Sequence, residues 1–558
     1  MKLLRLLFHG IVAVFSILSL DLSIKADSRP NILIIMVDDM GSSDPGFQGG
    51  EIETPNVDRL AANGLTFTNF YNAARCGPTR ASISTGLYSH QVGCYELEPV
   101  EPGNNVFISE LLGDHGYVTY MSGKWHLGNT PDKLPPARGY DHSYAYQGCC
   151  GSYWDPEIYI LESPTVEPVD YGPDGFHATD ATTDYAVKFL EYHQHNEEET
   201  PFFLYLAYQA PHSPLHAPKE LIEKYIPVYE KGWDEVRWKR WQKMKRLGLF
   251  PGTDRLPPTS DTPPWHDEYA QPTKLKEWDL ISKELQQDQI MRMAIYAAMI
   301  DQVDQGIGKV LEQLEGMNQL ENTFLIFLSD NGANYEGGPF GADGIHTGSR
   351  LKSMGQNGTR HHQAAHWAAV SNTPFKEYKH FNHEGGINTP AVVHWPKGLN
   401  RKGERDSQRC HVIDVMATVA EITGATYPTQ RLGHDILPME GTSMMPALRG
   451  GRLAERVLCF EHEANRAIFK DKYKLVSKNY TSTDGSPHHN WELYDIDADP
   501  LELNNIASDH YYDIVIPMAR EWHHWATRTD GIVGYEKWML KLQYYWRTGL
   551  RTYLNDAF

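Results

Sequence analysis

Cysteine is scarce in this chain: Cys76, Cys94, Cys149, Cys150, Cys410 and Cys459 are the only six in 558 residues. That is too few for a disulfide scaffold, and the absence of any CxxC pair excludes the common zinc modules. Positive charge is also in short supply. The formal net charge is −21 and no long basic run occurs, which excludes nonspecific binding to nucleic acid. A polyanionic substrate would have to meet a locally positive pocket in an acidic surface. Internal repeats and low-complexity segments are lacking. After the first 20 residues no segment approaches the roughly 20 uninterrupted apolar residues of a membrane span.

Those first residues, MKLLRLLFHGIVAVFSILSL, carry Lys2 and Arg5 ahead of an apolar stretch, then a polar segment with Ala26 as a cleavage residue. They predict a signal peptide over 1–26 and a mature protein that is exported, periplasmic or secreted, without stable membrane insertion. Export permits some cysteine pairing, with partners open. Asn357 and Asn479 stand in N-x-T sequons.

Two apolar runs end alike. Asn31–Val37 is continuous and β-branched, as expected of a strand buried on both faces of a parallel sheet, and it runs into Asp38 and Asp39. Thr323–Leu328 is followed by Asp330 and Asn331. Further strands are expected at Phe202–Tyr208 and Thr389–Trp395. Helices are expected after Thr54 and Pro55, closed by Gly64, and along Leu280–Gly316, where apolar residues recur with a helical period. This alternation predicts one large α/β domain over 27–444. Within it, 219–278 reads as a surface insertion rich in Lys, Trp and Pro. Trp233, Trp238 and Trp241 in that insertion are read as packing residues ahead of sugar-stacking ones. From about 445 the strands shorten and the spacing becomes hairpin-like, which predicts a smaller C-terminal α+β subdomain over 445–558.

In open α/β sheets, ligands bind beyond the carboxyl ends of the strands. Asp38, Asp39, Asp330 and Asn331 would meet there as an all-oxygen set. Such ligands favour Ca²⁺ or Mg²⁺ over zinc or copper, and the amide oxygen with several carboxylates tilts the choice to Ca²⁺. The stretch CGPTRASISTG starts at Cys76, and Pro78 marks the first turn of a helix. Cys76 therefore sits at a helix N-terminus, where negative charge is favoured, with Arg80 one turn further in. In GKWHLG, Lys124 and His126 would face the same way if the segment is extended. His212 and His216 follow the strand ending at Tyr208, with His216 read as the structural one of the two. Lys376, Lys379, His380 and His383 precede the pair Gly385–Gly386, and at most two of these four are expected to act in the site.

Together these motifs resemble the type I, arylsulfatase-like sulfatases. CGPTRASISTG fits the pattern C-x-P-x-R-x-x-x-x-T-G. The DD after the first strand, GKWHLG, the PH of APHSPLHAP, SDNG and Lys-x-x-x-x-EGG follow in the family's order. The resemblance runs from Asn31 to about residue 507. It implies an alkaline-phosphatase-like fold: a large mixed, mostly parallel sheet flanked by helices, with a smaller antiparallel sheet. It implies that a formylglycine-generating enzyme or equivalent maturase oxidises Cys76 to Cα-formylglycine. The hydrate of that aldehyde attacks sulfur, which a plain thiol would not do. By the same resemblance Asp38, Asp39, Asp330, Asn331 and the modified Cys76 hold the metal, and Arg80 and Lys124 hold the hydrated aldehyde. His126 is the base for sulfate release. His212 and Lys379 grip the sulfate and protonate the leaving oxygen; Lys124 also counts among the substrate-binding groups. Lys379 is preferred to Lys376 because it lies five residues before Glu384. The segment KHFNHEGG departs from the KGTTxEGG frequent in the family, which alters the contacts around the lysine. The expected substrate is a sulfated small molecule or carbohydrate. Two alternatives share the motifs: a phosphonate monoester or phosphodiester hydrolase on the same scaffold, and a sulfate-binding homologue without catalysis.

Overall fold

The computed structural model describes residues 29–173, 175–262, 273–341, 343–478 and 491–531. The predicted signal peptide and the Asn479 sequon lie outside them. A nine-stranded sheet forms from β1 (Asn31–Val37), β2 (Leu65–Phe67), β3 (Val118–Lys124), β4 (His142–Tyr146), β5 (Tyr159–Glu162), β6 (Phe202–Ala207), β7 (Thr323–Ser329), β8 (Ala391–His394) and β9 (Glu404–Asp406). The strand order is β9-β2-β8-β7-β1-β6-β3-β4-β5, with β1 in the middle. Every strand runs parallel to β1 except β5 and β8.

The continuous apolar run of β1 is explained by cover on both faces. Leu33, Ile35 and Val37 pack towards the helices Ala178–Asn196, Lys219–Tyr229 and Lys283–Gly316. Ile32, Ile34 and Met36 pack towards Ala81 and Ile83 of the Cys76 helix and Val415, Met416 and Val419 of helix Asp414–Thr423. Each such side chain stabilises the fold by ~1.5–3 kcal/mol relative to an exposed one. The parallel register sets Leu33 beside Leu204 and Leu325, so β1, β6 and β7 end together at one edge.

Several local expectations shift. Helix Pro55–Asn63 starts after Thr54, but the Thr54 hydroxyl accepts from Gly46 N at 2.8 Å and donates to Asp58 at 3.1 Å, so it does not cap the helix. Gly64 follows the helix in extended conformation. The long helix begins at Lys283, not Leu280, because the Ser282 hydroxyl caps it by accepting from Leu285 N. The insertion is more than a surface feature. Its helix Gly232–Arg246 buries Trp233 and Trp241, and Trp238 alone of the three is exposed, at 55%. Arg240 is 1% exposed and bonds Asp44 and Glu51, which tethers the insertion behind the Asp38–Asp39 turn.

The C-terminal part forms a four-stranded antiparallel sheet of β10 (Leu458–His462), β11 (Asn465–Lys470), β12 (Tyr473–Ser477) and β13 (Glu492–Asp495). Helix Ile516–Arg528 packs on it through Met518, Trp522 and Trp525. Among the described residues, no helix is long and apolar enough to cross a membrane.

Candidate active site

The ends of β1, β3 and β7 and the start of the Cys76 helix converge at the carboxyl edge of the sheet. Helix Cys76–Thr85 begins at Cys76 itself, which puts Pro78 in its first turn at the third position. All ten helix residues are buried, and Cys76 is 2% exposed. The helix is tied to β7 by Thr79, whose hydroxyl donates to the Asp330 carbonyl at 2.7 Å. A close backbone approach fixes the other side of that turn: a Cβ on Gly332 would lie 1.8 Å from the Gly385 carbonyl oxygen.

Arg80 is fully buried and spans two strand ends. Its Nε and one terminal nitrogen donate to Asp330 Oδ2 at 3.1 and 2.7 Å, and that nitrogen also lies 3.2 Å from Asp38 Oδ2. The other terminal nitrogen donates to the Lys124 carbonyl at 3.0 Å. Lys124 Nζ donates to Asp38 Oδ2 at 2.5 Å. Lys379 Nζ lies 2.9 Å from Asp39 Oδ1, and His212 Nε2 lies 3.6 Å from Asp39 Oδ2. Asn331 Nδ2 donates to Asp39 Oδ1 at 2.7 Å. The structure thus brings Asp38, Asp39, Asp330, Asn331, Arg80, Lys124, His212 and Lys379 into one cluster.

His126 joins the cluster by a route other than the expected one. The strand ends at Lys124, Trp125 is buried in the core, and His126 takes a left-handed φ of 57°. Its ring lies against the Cys76–Gly77 turn, 4.0 Å from where a Gly77 Cβ would be. Asp39 and His380 are also left-handed, at φ 65° and 78°. Such non-glycine residues cost ~1–3 kcal/mol each and concentrate where geometry is held for function.

The charges explain the protonation pattern. Burial pushes the Cys76 thiol up to about 11 despite the opposing pull of Lys124, so the unmodified thiol is protonated near neutral pH. Burial, with Lys124 and Arg80 adding to it, holds His126 well below the usual imidazole range, which leaves it neutral and able to accept a proton. Burial disfavours the Lys379 ammonium, but Asp39 and Glu336 outweigh it and keep the group charged. Burial and the charge of Asp38 push Asp330 up to about 7. Asp38 itself is lowered, because Lys124, His212 and Arg80 outweigh its burial.

Whether these residues suit a hard divalent cation is tested by what their buried oxygens meet. Asp38 Oδ1 and Asn331 Oδ1 are buried and have no hydrogen-bond partner among the described residues. Buried polar atoms are nearly always paired, so two orphaned oxygens beside two further carboxylates fit a cation with oxygen ligands. Asp38 and Asp39 also form a potential metal-ligating group with His212.

Sequence reasoning did not single out Glu336, Glu463 or Arg75, which stand behind Lys379 and His380. Glu336 Oε2 lies 3.4 Å from Lys379 Nζ, and its other oxygen lies 3.0 Å from His380 Nε2. Glu463 contacts His380 Nδ1 at 2.7 Å and Arg75, the residue before the Cys76 helix, at 2.6 Å. No local motif marks these residues, which come from three distant segments. The sulfurs of Cys149 and Cys150 lie 2.7 Å apart, and the charges of Lys124, His212 and Lys379 act on Cys149. The other lysine and histidines of the two clusters act elsewhere. Lys376 and His383 meet Glu492 of the small sheet. Both ring nitrogens of His216 bond backbone groups, at Thr359 and Tyr153.

Comparison with known proteins agrees with this arrangement. The family model described as sulfatase matches residues 30–425, and one described as N-sulphoglucosamine sulphohydrolase, C-terminal, matches 376–524. An uncharacterized sulfatase of Schizosaccharomyces pombe is 32% identical over 91% of this chain and 95% of its own length. An arylsulfatase of Klebsiella aerogenes is 33% identical over 76% of this chain and 94% of its own length. An N-acetylglucosamine-6-O-sulfatase of Bacteroides thetaiotaomicron is 28% identical over 87% of this chain and 84% of its own. Among solved structures, Ps i-CgsB in complex with k-i-k-neocarrahexaose superposes with a TM-score of 0.61 at 27% identity, covering 89% of this chain and 93% of that one. A match over most of the chain, by a family model and by relatives of similar length, makes this protein a member of the sulfatase family, a hydrolase of sulfate esters.

Proposed function

We propose that the reaction uses a Cα-formylglycine formed from Cys76 and a calcium ion held by Asp38, Asp39, Asp330, Asn331 and that modified residue. The observation that carries this reading is the pair of orphaned buried oxygens, Asp38 Oδ1 and Asn331 Oδ1, in a cluster whose charges act on Cys76. A formylglycine at position 76, once hydrated, would supply a nucleophilic hydroxyl for sulfur and a second, acidic hydroxyl for sulfate release. Bound calcium supplies Lewis acidity at the sulfate oxygens and favours ionisation of the nucleophile.

The remaining steps fall to the chain's own side chains. Lys124 and Arg80 hold the nucleophilic residue, Lys124 against Asp38 and Arg80 between Asp38 and Asp330. Lys379 and His212, both beside Asp39, bind the sulfate oxygens. His212 Nδ1 is 2.5 Å from the Ser213 carbonyl, which assigns a proton there and leaves Nε2 facing the cluster. From Nε2 His212 would donate a proton to the departing alcohol oxygen, a contribution of roughly 10²–10⁴ in rate. His126, neutral for the reasons given above, takes the proton that frees sulfate.

The substrate is a sulfated small molecule or carbohydrate, a reading supported by relatives named arylsulfatase and N-acetylglucosamine-6-O-sulfatase. Maturation requires a formylglycine-generating enzyme or its equivalent. The N-terminal sequence supports export after cleavage of 1–26, with a catalytic domain over 27–444 and a C-terminal subdomain over 445–558. The test is peptide mass analysis of the Cys76 segment together with turnover of a chromogenic aryl sulfate. Cys76→Ala is expected to abolish sulfate release while the thermal melt is unchanged; activity within tenfold of wild type overturns the assignment. Exhaustive chelation is expected to abolish turnover and lower the melting temperature, with both restored by Ca²⁺ better than by Mg²⁺. Full activity in demonstrably metal-free protein overturns the calcium assignment.

A further inference from the structure

We propose that Asp343, His346 and His361 form a second metal site, of the zinc type, which clips the loop spanning 337–362 to the long helix Lys283–Gly316. One ligand atom from each of the three side chains lies within 4.8 Å of the other two. None of them belongs to the calcium set. Two imidazoles and one carboxylate are borderline ligands that suit Zn²⁺ better than Ca²⁺.

The orientation of each ligand is set from behind. His346 Nδ1 lies 3.0 Å from Asp288 Oδ1, and the His346 backbone N–H donates to the same oxygen at 2.9 Å. With its proton on Nδ1, the ring turns a lone pair on Nε2 towards Asp343 Oδ2, 3.6 Å away. A cation between Nε2 and that carboxylate oxygen would satisfy both. His361 Nδ1 approaches the same Asp343 oxygen at 2.5 Å, and the two rings meet edge to face with centroids 4.6 Å apart. The second oxygen of Asp343 is committed elsewhere, to Arg292 at 2.9 Å.

Arg292 is fully buried on the long helix and also bonds Asp288 Oδ2 and the Gly344 and His362 carbonyls. A Cβ on Gly341 would lie 2.3 Å from it, so the loop closes tightly over the guanidinium. Carboxylate–histidine pairs of the Asp288–His346 kind are the usual outer support of a metal ligand. A further buried nitrogen, His361 Nε2, has no hydrogen-bond partner among the described residues. The side chains of Asp343 and His346 are 22% and 12% exposed, which leaves an entry path and room for a water as fourth ligand.

The site borders the catalytic cleft. The His361 carbonyl accepts from Leu215 N at 2.9 Å, three residues beyond His212, and His362 feels the charges of Glu336 and His212. A clip here fixes the loop that walls the cleft on the His212 side.

The experiment uses the full-length protein, stripped with chelator and dialysed against Ca²⁺ to fill the catalytic set. It is then titrated with Zn²⁺ against a chromophoric chelator, desalted and analysed for metal. About one equivalent of zinc per chain is expected for wild type, with affinity reduced about 100-fold or more in His346→Ala and in His361→Ala. Zinc is expected to raise the melting temperature of wild type and to leave that of His346→Ala unchanged. Substitution with Co²⁺ is expected to give the visible bands of a nitrogen–oxygen site. Absence of zinc uptake by wild type reduces the three side chains to a hydrogen-bonded brace and overturns the proposal. So does undiminished uptake by the well-folded His346→Ala variant. A thiolate-to-cobalt charge-transfer band would place the ion on Cys149 and Cys150 and overturn it equally.

Discussion

His126 combines a strained backbone, a buried Nδ1 without a partner among the described residues, and a pKa pushed far down by burial, Lys124 and Arg80. Such a residue is poor as a structural element and well suited to accepting a proton. If it acts in sulfate release alone, its loss separates the two halves of the reaction. His126→Ala is expected to release about one equivalent of alcohol rapidly and then turn over roughly 10²–10⁴ times more slowly than wild type. Stopped-flow release of a chromogenic alcohol, set against steady-state sulfate, checks it. A uniformly slow reaction without a burst would move His126 to the first half-reaction. At this scale the sequence was legible where chemistry is local. Asp38, Asp39, Asp330 and Asn331 announce themselves because an apolar strand runs straight into them. For Lys124 and His126 the extended geometry expected from the spacing does not hold: the strand stops at Lys124, and His126 follows in a left-handed conformation.

Among the elements, the helix Gly232–Arg246 departs furthest from the sequence reading. Its composition, rich in Lys, Arg and Trp, has the look of a solvated face, because periodicity cannot distinguish an arginine in solvent from one that meets buried carboxylates. Arg240 is the difference. It bonds both oxygens of Glu51 and one of Asp44, while Asp44 also accepts from Tyr296 and from Gly41 N. Gly41 closes the turn that starts with Asp38 and Asp39, and a Cβ there would lie 2.4 Å from the Ser371 carbonyl oxygen. The insertion thus buttresses the Asp38–Asp39 turn from behind. Arg240→Ala leaves the Asp44 carboxylate buried without its cation, and breaking one partner of a buried pair costs about 3–5 kcal/mol. The expected outcome is an unfolding free energy, measured by chemical denaturation, lowered by that amount, with weaker Ca²⁺ binding. Arg240→Lys is expected to recover part of the loss. An Arg240→Ala variant within about 1 kcal/mol of wild type would show that the insertion is only draped over the domain.

Across the whole molecule, the small sheet reaches the head of the Cys76 helix and the residue next to Lys379 through Glu463. It stands with Ala464 in the two-residue turn joining β10 to β11, both at positive φ, 50° and 61°. Asn-Gly or Asp-Gly is the usual sequence for such a turn, so nothing in Glu463-Ala464 signals it. Nor does sequence proximity help, since Arg75 and His380 lie 388 and 83 positions away from Glu463. Its carboxylate holds Arg75 at the head of the Cys76 helix and His380 next to Lys379, so Cys76 and Lys379 share one brace. Burial opposes the charge on His380, but Glu463 and Glu336 prevail and raise its pKa above the ordinary 6.5. A histidine with a raised folded pKa contributes stability that is complete below about 6.5 and is lost as pH climbs through the folded value. Glu463, lowered because His380 and Arg75 outweigh its burial, has the opposite sign: its contribution is complete above about 4.3 and disappears on acidification. Wild-type melting temperature should therefore fall as pH rises above neutrality and also as it drops below about 4.3. Glu463→Gln is expected to flatten both slopes and to lower kcat about 10²-fold by misplacing Lys379 and the helix head. Calorimetry across pH and steady-state kinetics at saturating substrate check the two parts. If kcat stays within threefold while the slopes flatten, Glu463 braces the small sheet without positioning the catalytic groups; if the slopes persist as well, the pH dependence does not come from Glu463.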